Sequence, residues 1–132
     1  MPIDINATDF VDRFNAKDIT VGVVGHGYVG QAVDYFFHGK VGNVLIHDKA
    51  KPQMYSLKDV VDAADVIFVC VPTPMNSNGS CHTGIVESVI DEVVRSAASN
   101  FKPLKNFIVV IKSTIPPGFT LQMKAKHPGL RI

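Results

Sequence analysis

The chain has 132 residues, room for one domain. Apolar residues make up 46% of it and tryptophan is absent, which suits a small core of valine, isoleucine and alanine. A formal charge of +1, with lysine and arginine scattered along the sequence, excludes the basic footprint of a nucleic-acid or anionic-membrane binder.

Residues 1–18 read as a leader. Phe10, Val11 and Phe14 follow Thr8 at helical spacing, so this segment is either a short docking helix or a mobile tail. Residues 19–24 form an apolar, β-branched run that ends at Gly25. Val29, Ala32, Val33, Phe36 and Phe37 then recur on one helix face, with Gly39 as the stop. Val44, Leu45 and Ile46 make a second strand, closed by His47 and Asp48. Ser56 to Asp59 has the form of a capping box, with Leu57, Val60, Val61 and Ala64 on the apolar side.

Residues 65–71 predict a third strand, stopped by Pro72 and Pro74. A polar loop over 75–82 leads to a helix capped by Thr83, with Val86, Val89, Ile90, Val93, Val94 and Ala97 as its stripe. Residues 107–111 predict a fourth strand. Pro116-Pro117-Gly118 announces another helix, and Leu130-Arg131-Ile132 opens a fifth strand. No apolar run is long enough to span a bilayer. The N-terminus is polar and acidic, unlike a secretory signal. Cys70 lies within the third apolar run and reads as core. Cys81 sits in the polar loop without the companions of a zinc site, so the expectation is free thiols, no metal and a cytoplasmic setting.

Strands apolar throughout, alternating with amphipathic helices, predict an α/β fold: a parallel sheet covered on both faces. The simplest doubly wound topology is a Rossmann-type sheet of order 3-2-1-4-5 over residues 19–132. Within it, Gly25-His26-Gly27-Tyr28-Val29-Gly30 stands between a strand and a helix, the context that a G-x-G-x-x-G loop requires. Gly25 permits the tight turn, Gly27 leaves the backbone open to a pyrophosphate, and Gly30 lets the helix pack closely. The helix N-terminus then offers free N–H groups to phosphates. Asp48, at the end of the second strand, is placed to accept from adenosine ribose hydroxyls and to repel a 2′-phosphate. This favours NAD over NADP, although Lys49 and Lys51 could pair with a phosphate. His26 and His47 read as exposed loop residues rather than ligands.

Two further segments end strands: Val71-Pro72-Thr73-Pro74-Met75 and Lys112-Ser113-Thr114. With strand four beside strand one, Ser113 and Thr114 would face the nicotinamide half of the cofactor. Their hydroxyls suit a ribose or carboxamide, and equally an ordinary helix cap before proline.

On these pieces the chain resembles the N-terminal NAD-binding domain of the UDP-glucose/GDP-mannose dehydrogenase family. The matching stretches are residues 23–30, 65–74 and 111–119, and the likeness extends over about residues 19–132. The resemblance implies that Gly25, His26, Gly27, Tyr28, Val29, Gly30, Asp48, Val71, Pro72, Thr73, Pro74, Met75, Ser113 and Thr114 contact NAD. It also implies that Thr114 lies near the hydride-transfer site. Members of this family oxidise the primary alcohol of a nucleotide sugar to a carboxylate through a cysteine-bound intermediate. The nucleophilic cysteine, its lysine, asparagine and glutamate partners, the dimerising helix and the sugar-nucleotide domain have no counterpart here. The resemblance therefore implies the cofactor part of such an enzyme, truncated and inactive alone, and leaves homo-oligomer formation open.

Two departures stand out: the stretch between Asp48 and Asp65 is short for the family, and His82 replaces a usual aspartate. The alternatives are a fragment of a β-hydroxyacid-type enzyme akin to 6-phosphogluconate dehydrogenase, or a stand-alone NAD-binding module without chemistry. S-adenosylmethionine is a remote further ligand for such a glycine loop.

Overall fold

The computed structural model describes residues 18–132, so the helical spacing at Phe10, Val11 and Phe14 lies outside the described residues. Four short parallel strands form one sheet: β1 (Thr20–Val24), β2 (Asn43–His47), β3 (Val66–Val69) and β4 (Ile108–Ile111). Around them lie α1 (Tyr28–Phe37), α2 (Leu57–Ala63), α3 (Gly84–Ser99) and α4 (Phe119–Lys126). Each falls where the apolar pattern and its flanking turn residues put it. Ser56 caps α2, its Oγ accepting from the Asp59 amide at 3.1 Å. Thr83 does not cap α3. Its backbone is already helical (φ −95°, ψ 0°), whereas a capping residue needs extended geometry.

The strands lie in the order β2-β1-β3-β4, which corrects the expected order 3-2-1-4-5. The cause is the face on which α2 packs. Val21 and Val23 of β1 point to one side and meet Val33 of α1, Phe37, Phe68 and Cys70. Val24 points to the other side, where Val60, Val61 and Ala64 meet Ile67, Val69, Val86, Ile90 and Val93. A right-handed crossover through a helix on the opposite face must carry the chain back in the opposite direction. The chain therefore passes β1 and lands on its free edge.

Two local features make that passage work. Gly22 leaves room for α2, since a Cβ there would lie 2.6 Å from Val60 Cγ1 and 3.1 Å from the Ala64 Cβ. Asp65 then fastens the new pair reciprocally: its amide donates to Thr20 O at 2.8 Å, and its Oδ2 accepts from Thr20 N at 2.8 Å. Val21 thus stands opposite Val66, and Val24 opposite Val69.

The larger core lies on the α2–α3–α4 side, closed by Phe107, Phe119 and Met123. Burying each such side chain contributes about 1.5–3 kcal/mol. The α1 side is thinner. Val33 is buried there, but Val29 and Phe36 of the expected stripe remain 46% and 58% exposed, because no second helix flanks α1 among the described residues. Residues 130–132 form no strand. Val109 N donates to Arg131 O at 2.8 Å, and this single bond is not a ladder.

Candidate functional site

Where β1 ends, the chain turns at Gly25 with φ +96°, a region that only glycine enters freely. Gly27 precedes α1 in extended geometry, and no side chain caps the helix. Its first turn therefore presents backbone amides and the positive end of the helix dipole. A Cβ on Gly27 would meet nothing within 4 Å, whereas one on Gly30 would run into the Gly25 carbonyl oxygen. Gly27 is bare toward open space, and Gly30 is bare toward the protein.

Since β2 and β3 both flank β1, the sheet reverses its winding at β1, and ligands of open α/β sheets bind at such a point. A cleft of about 950 Å³ opens there. Its floor is Val24, Gly25, His26 and Gly27, and one wall is His47, Asp48, Lys49 and Ala50. Cys70, Val71 and Pro72 continue the floor. The far wall comes from Leu57 of α2 and from Ile85, Ser88, Val89 and Glu92 along one face of α3, with His82 and Gly84 at its head. That wall escaped the sequence reading. The i, i+3, i+4, i+7 spacing from Ile85 to Glu92 was the available signal, masked by the stronger core stripe beside it.

Asp48 is tied to the glycine loop. Its Oδ2 accepts from His26 N at 2.8 Å and its Oδ1 from Ala50 N at 2.8 Å. The His26 amide first, then the Ala50 amide, hold its carboxyl below the ordinary 3.8; burial opposes them, and the nearby Lys51 charge adds a lesser lowering effect. A carboxylate has about four acceptor positions, so two remain for further donors. His26 is not the exposed loop residue expected. Its side chain is 14% exposed, with Nε2 3.3 Å from Asp34 Oδ2 and Nδ1 3.1 Å from Lys51 Nζ. His47 Nδ1 lies 2.8 Å from Tyr55 O.

The remaining expected residues divide. Gly25, His26, Gly27, Asp48, Val71 and Pro72 line the cleft together. Tyr28 is 96% exposed and Val29 lies on the open side of α1, while Gly30 is buried beneath the turn. Thr73 and Pro74 lead away to Met75, which bridges Cys81 across the polar loop. Ser113 and Thr114 do not adjoin β1, because β3 intervenes. Ser113 Oγ instead donates to Val71 O at 2.7 Å, holding the cleft floor in place, and Thr114 O lies 3.4 Å from Cys81 Sγ. Among the described residues no cluster of three His, Cys, Asp or Glu could hold a metal ion, and no helix is long and apolar enough to cross a membrane.

The glycine turn, the uncapped helix start and the carboxylate at the end of β2 fit a dinucleotide: two phosphates on the amides and a ribose at the acid. Known proteins point the same way. The sequence model of the UDP-glucose/GDP-mannose dehydrogenase family, NAD binding domain, matches residues 48–127. A search of curated protein sequences gave no match. Among solved structures, the chain is similar to a GDP-mannose dehydrogenase from Pseudomonas aeruginosa in a ternary complex (TM-score 0.68, 22% identity, covering 78% of this chain and 30% of that one). It is similar also to a UDP-glucose dehydrogenase from the hyperthermophilic archaeon Pyrobaculum islandicum (TM-score 0.67, 23% identity, 86% and 34%). An imine reductase from Myxococcus stipitatus in complex with NAD+ has a TM-score of 0.54 (20% identity, 86% and 38%). The chain thus spans about a third of each neighbour's length. At these identities the structures speak for the fold alone, and the sequence match carries the assignment. That match covers more than half of the chain, from Asp48 through both segments that follow β3 and β4, and so the chain belongs to the UDP-glucose/GDP-mannose dehydrogenase family and carries its NAD-binding domain.

Proposed function

We propose that the cleft binds NAD with its pyrophosphate on the amides at the start of α1 and its adenosine ribose hydroxyls on Asp48. The carrying observation is the pair of opposed glycines: Gly27 opens the backbone to the cleft, and Gly30 seats α1 so that its first amides reach it. Val71 and Pro72 continue the floor toward the nicotinamide end. Ser113 fixes the Val71 carbonyl, and Thr114 stands beside the loop where hydride transfer would occur. Residues 19–132 act as one cofactor-binding unit, with residues 1–18 as its leader. When bound, NAD supplies the hydride acceptor.

In an intact protein this unit serves the NAD-dependent oxidation of a nucleotide sugar from alcohol to carboxylate. Family membership supports that substrate class. The described cysteines are both free, which suits a cytoplasmic setting. This reading assigns no group among the described residues to hold a sugar against the nicotinamide, so the chain is expected to bind NAD without turning over. Calorimetric titration of the chain with NAD tests the reading. Saturable binding at one site, with no NADH formed when UDP-glucose is added, is the expected result. A folded chain without affinity for NAD overturns it.

A further inference from the structure

Resting on the assignment of the cleft to NAD, we propose that His26 sets cofactor preference indirectly, by holding Lys51 away from the position of a 2′-phosphate. Lys51 Nζ lies 3.1 Å from His26 O and 3.1 Å from His26 Nδ1. An ammonium has donors only, so Nδ1 accepts and the ring proton sits on Nε2, facing Asp34 Oδ2 at 3.3 Å. Gln31 Nε2 supports the same carbonyl at 3.2 Å, and Asp48 Oδ2 takes the amide of His26 at 2.8 Å. Asp34, His26, Lys51 and Asp48 therefore form one tied network across the glycine loop.

A 2′-phosphate would arrive beside Asp48, whose carboxylate repels it. A nearby cation could offset that repulsion, and Lys51 follows Asp48 by three residues. To serve, it must give up two charge-assisted bonds and leave Nδ1 without a partner inside a side chain that is 14% exposed. If residue 26 offers no side-chain acceptor, the bond to Nδ1 and the penalty of leaving Nδ1 unpaired both drop out of that cost. Lys51 then keeps only one carbonyl bond, which a phosphate dianion displaces. Lys49 is exposed on the cleft wall without such a tether and serves as the control.

The test is the ratio of NADP to NAD dissociation constants, in which general damage to the loop cancels. His26→Ala is expected to shift that ratio toward NADP by about tenfold, the scale of one charge-assisted hydrogen bond. His26→Leu, which fills the volume without an acceptor, carries the same expectation should the alanine variant unfold. In His26→Asn the amide oxygen falls near the Nδ1 position, so the wild-type ratio should return. Adding Lys51→Met to His26→Ala should abolish the gain. An unchanged ratio in His26→Ala or His26→Leu overturns the inference, as does a gain that survives Lys51→Met, which would point to Lys49. Absence of NAD binding by the wild-type chain would instead defeat the cofactor assignment itself.

Discussion

The carbonyl oxygen of Gly25 occupies the space that a side chain on Gly30 would need. Gly30→Ala therefore pits a methyl group against backbone, and the turn, α1 or both must move. A loss of about 2–3 kcal/mol in urea unfolding is expected, at the upper end for overpacking. Gly27→Val should leave the unfolding midpoint near wild type and remove NAD binding, because its new side chain enters open cleft. Equal stability losses in the two variants would contradict this division.

Acid should loosen the glycine loop through Asp48. Its folded pKa lies below 3.8, held there by the His26 and Ala50 amides. The stabilisation is thus complete above pH 3.8 and fades as pH falls through the lower folded value. Urea midpoints measured from pH 6 down to pH 3 should fall more steeply for wild type than for Asp48→Asn. Parallel curves would show that the two amide bonds contribute nothing.

The thiols should differ in reactivity. Burial pushes Cys70 up to about 11, with Lys112 opposing only in part. Cys81 lies in the partly open polar loop. Iodoacetamide at pH 7.5 should label Cys81 alone in the folded chain and both residues in denaturant, as read by peptide mass. Labelling of Cys70 without denaturant would contradict its burial.

Phe101 holds φ +55° just past α3 while its ring is 94% exposed. The turn is built by Lys102 N donating to Ala97 O at 2.8 Å and Phe101 N to Ala98 O at 3.1 Å, an arrangement in which glycine usually stands. Phe101→Gly relieves about 1–2 kcal/mol of backbone strain and returns part of it as unfolded-state entropy. A rise in Tm of about 2–4 °C is expected by calorimetry. A fall would mean that the ring packs on something in solution.

Most of the fold was legible because each strand and helix carries its own period. The four strands, Ser56 as a cap and the turn at Gly25 all depend on residues close in sequence. Strand order was not legible. It follows from the face α2 chooses, and that choice rests on the void at Gly22 and the reciprocal bonds of Asp65 with Thr20, contacts between residues far apart in the chain. The displacement of Ser113 from β1 follows from the same cause. Of the cleft, the glycine loop and Asp48 could be read because chemistry there is set by spacing. The α3 wall was masked by the core stripe beside it, and the His26–Lys51 tie could not be read, since it joins the loops that follow β1 and β2 through contacts that spacing does not encode.

Lys102 gathers three carbonyls at the end of α2, those of Val61, Asp62 and Ala64, at 2.7, 3.1 and 2.6 Å, and Asn100 Nδ2 reaches Lys58 O at 3.1 Å. A helix of seven residues cannot stand by itself in water. The segment that brings Leu57 to the cleft is thus moored by the turn after α3, at the opposite end of the molecule from the glycine loop. The gap between the two walls of the cleft is accordingly set from behind, and cutting that mooring would let them drift apart with every residue at the mouth intact.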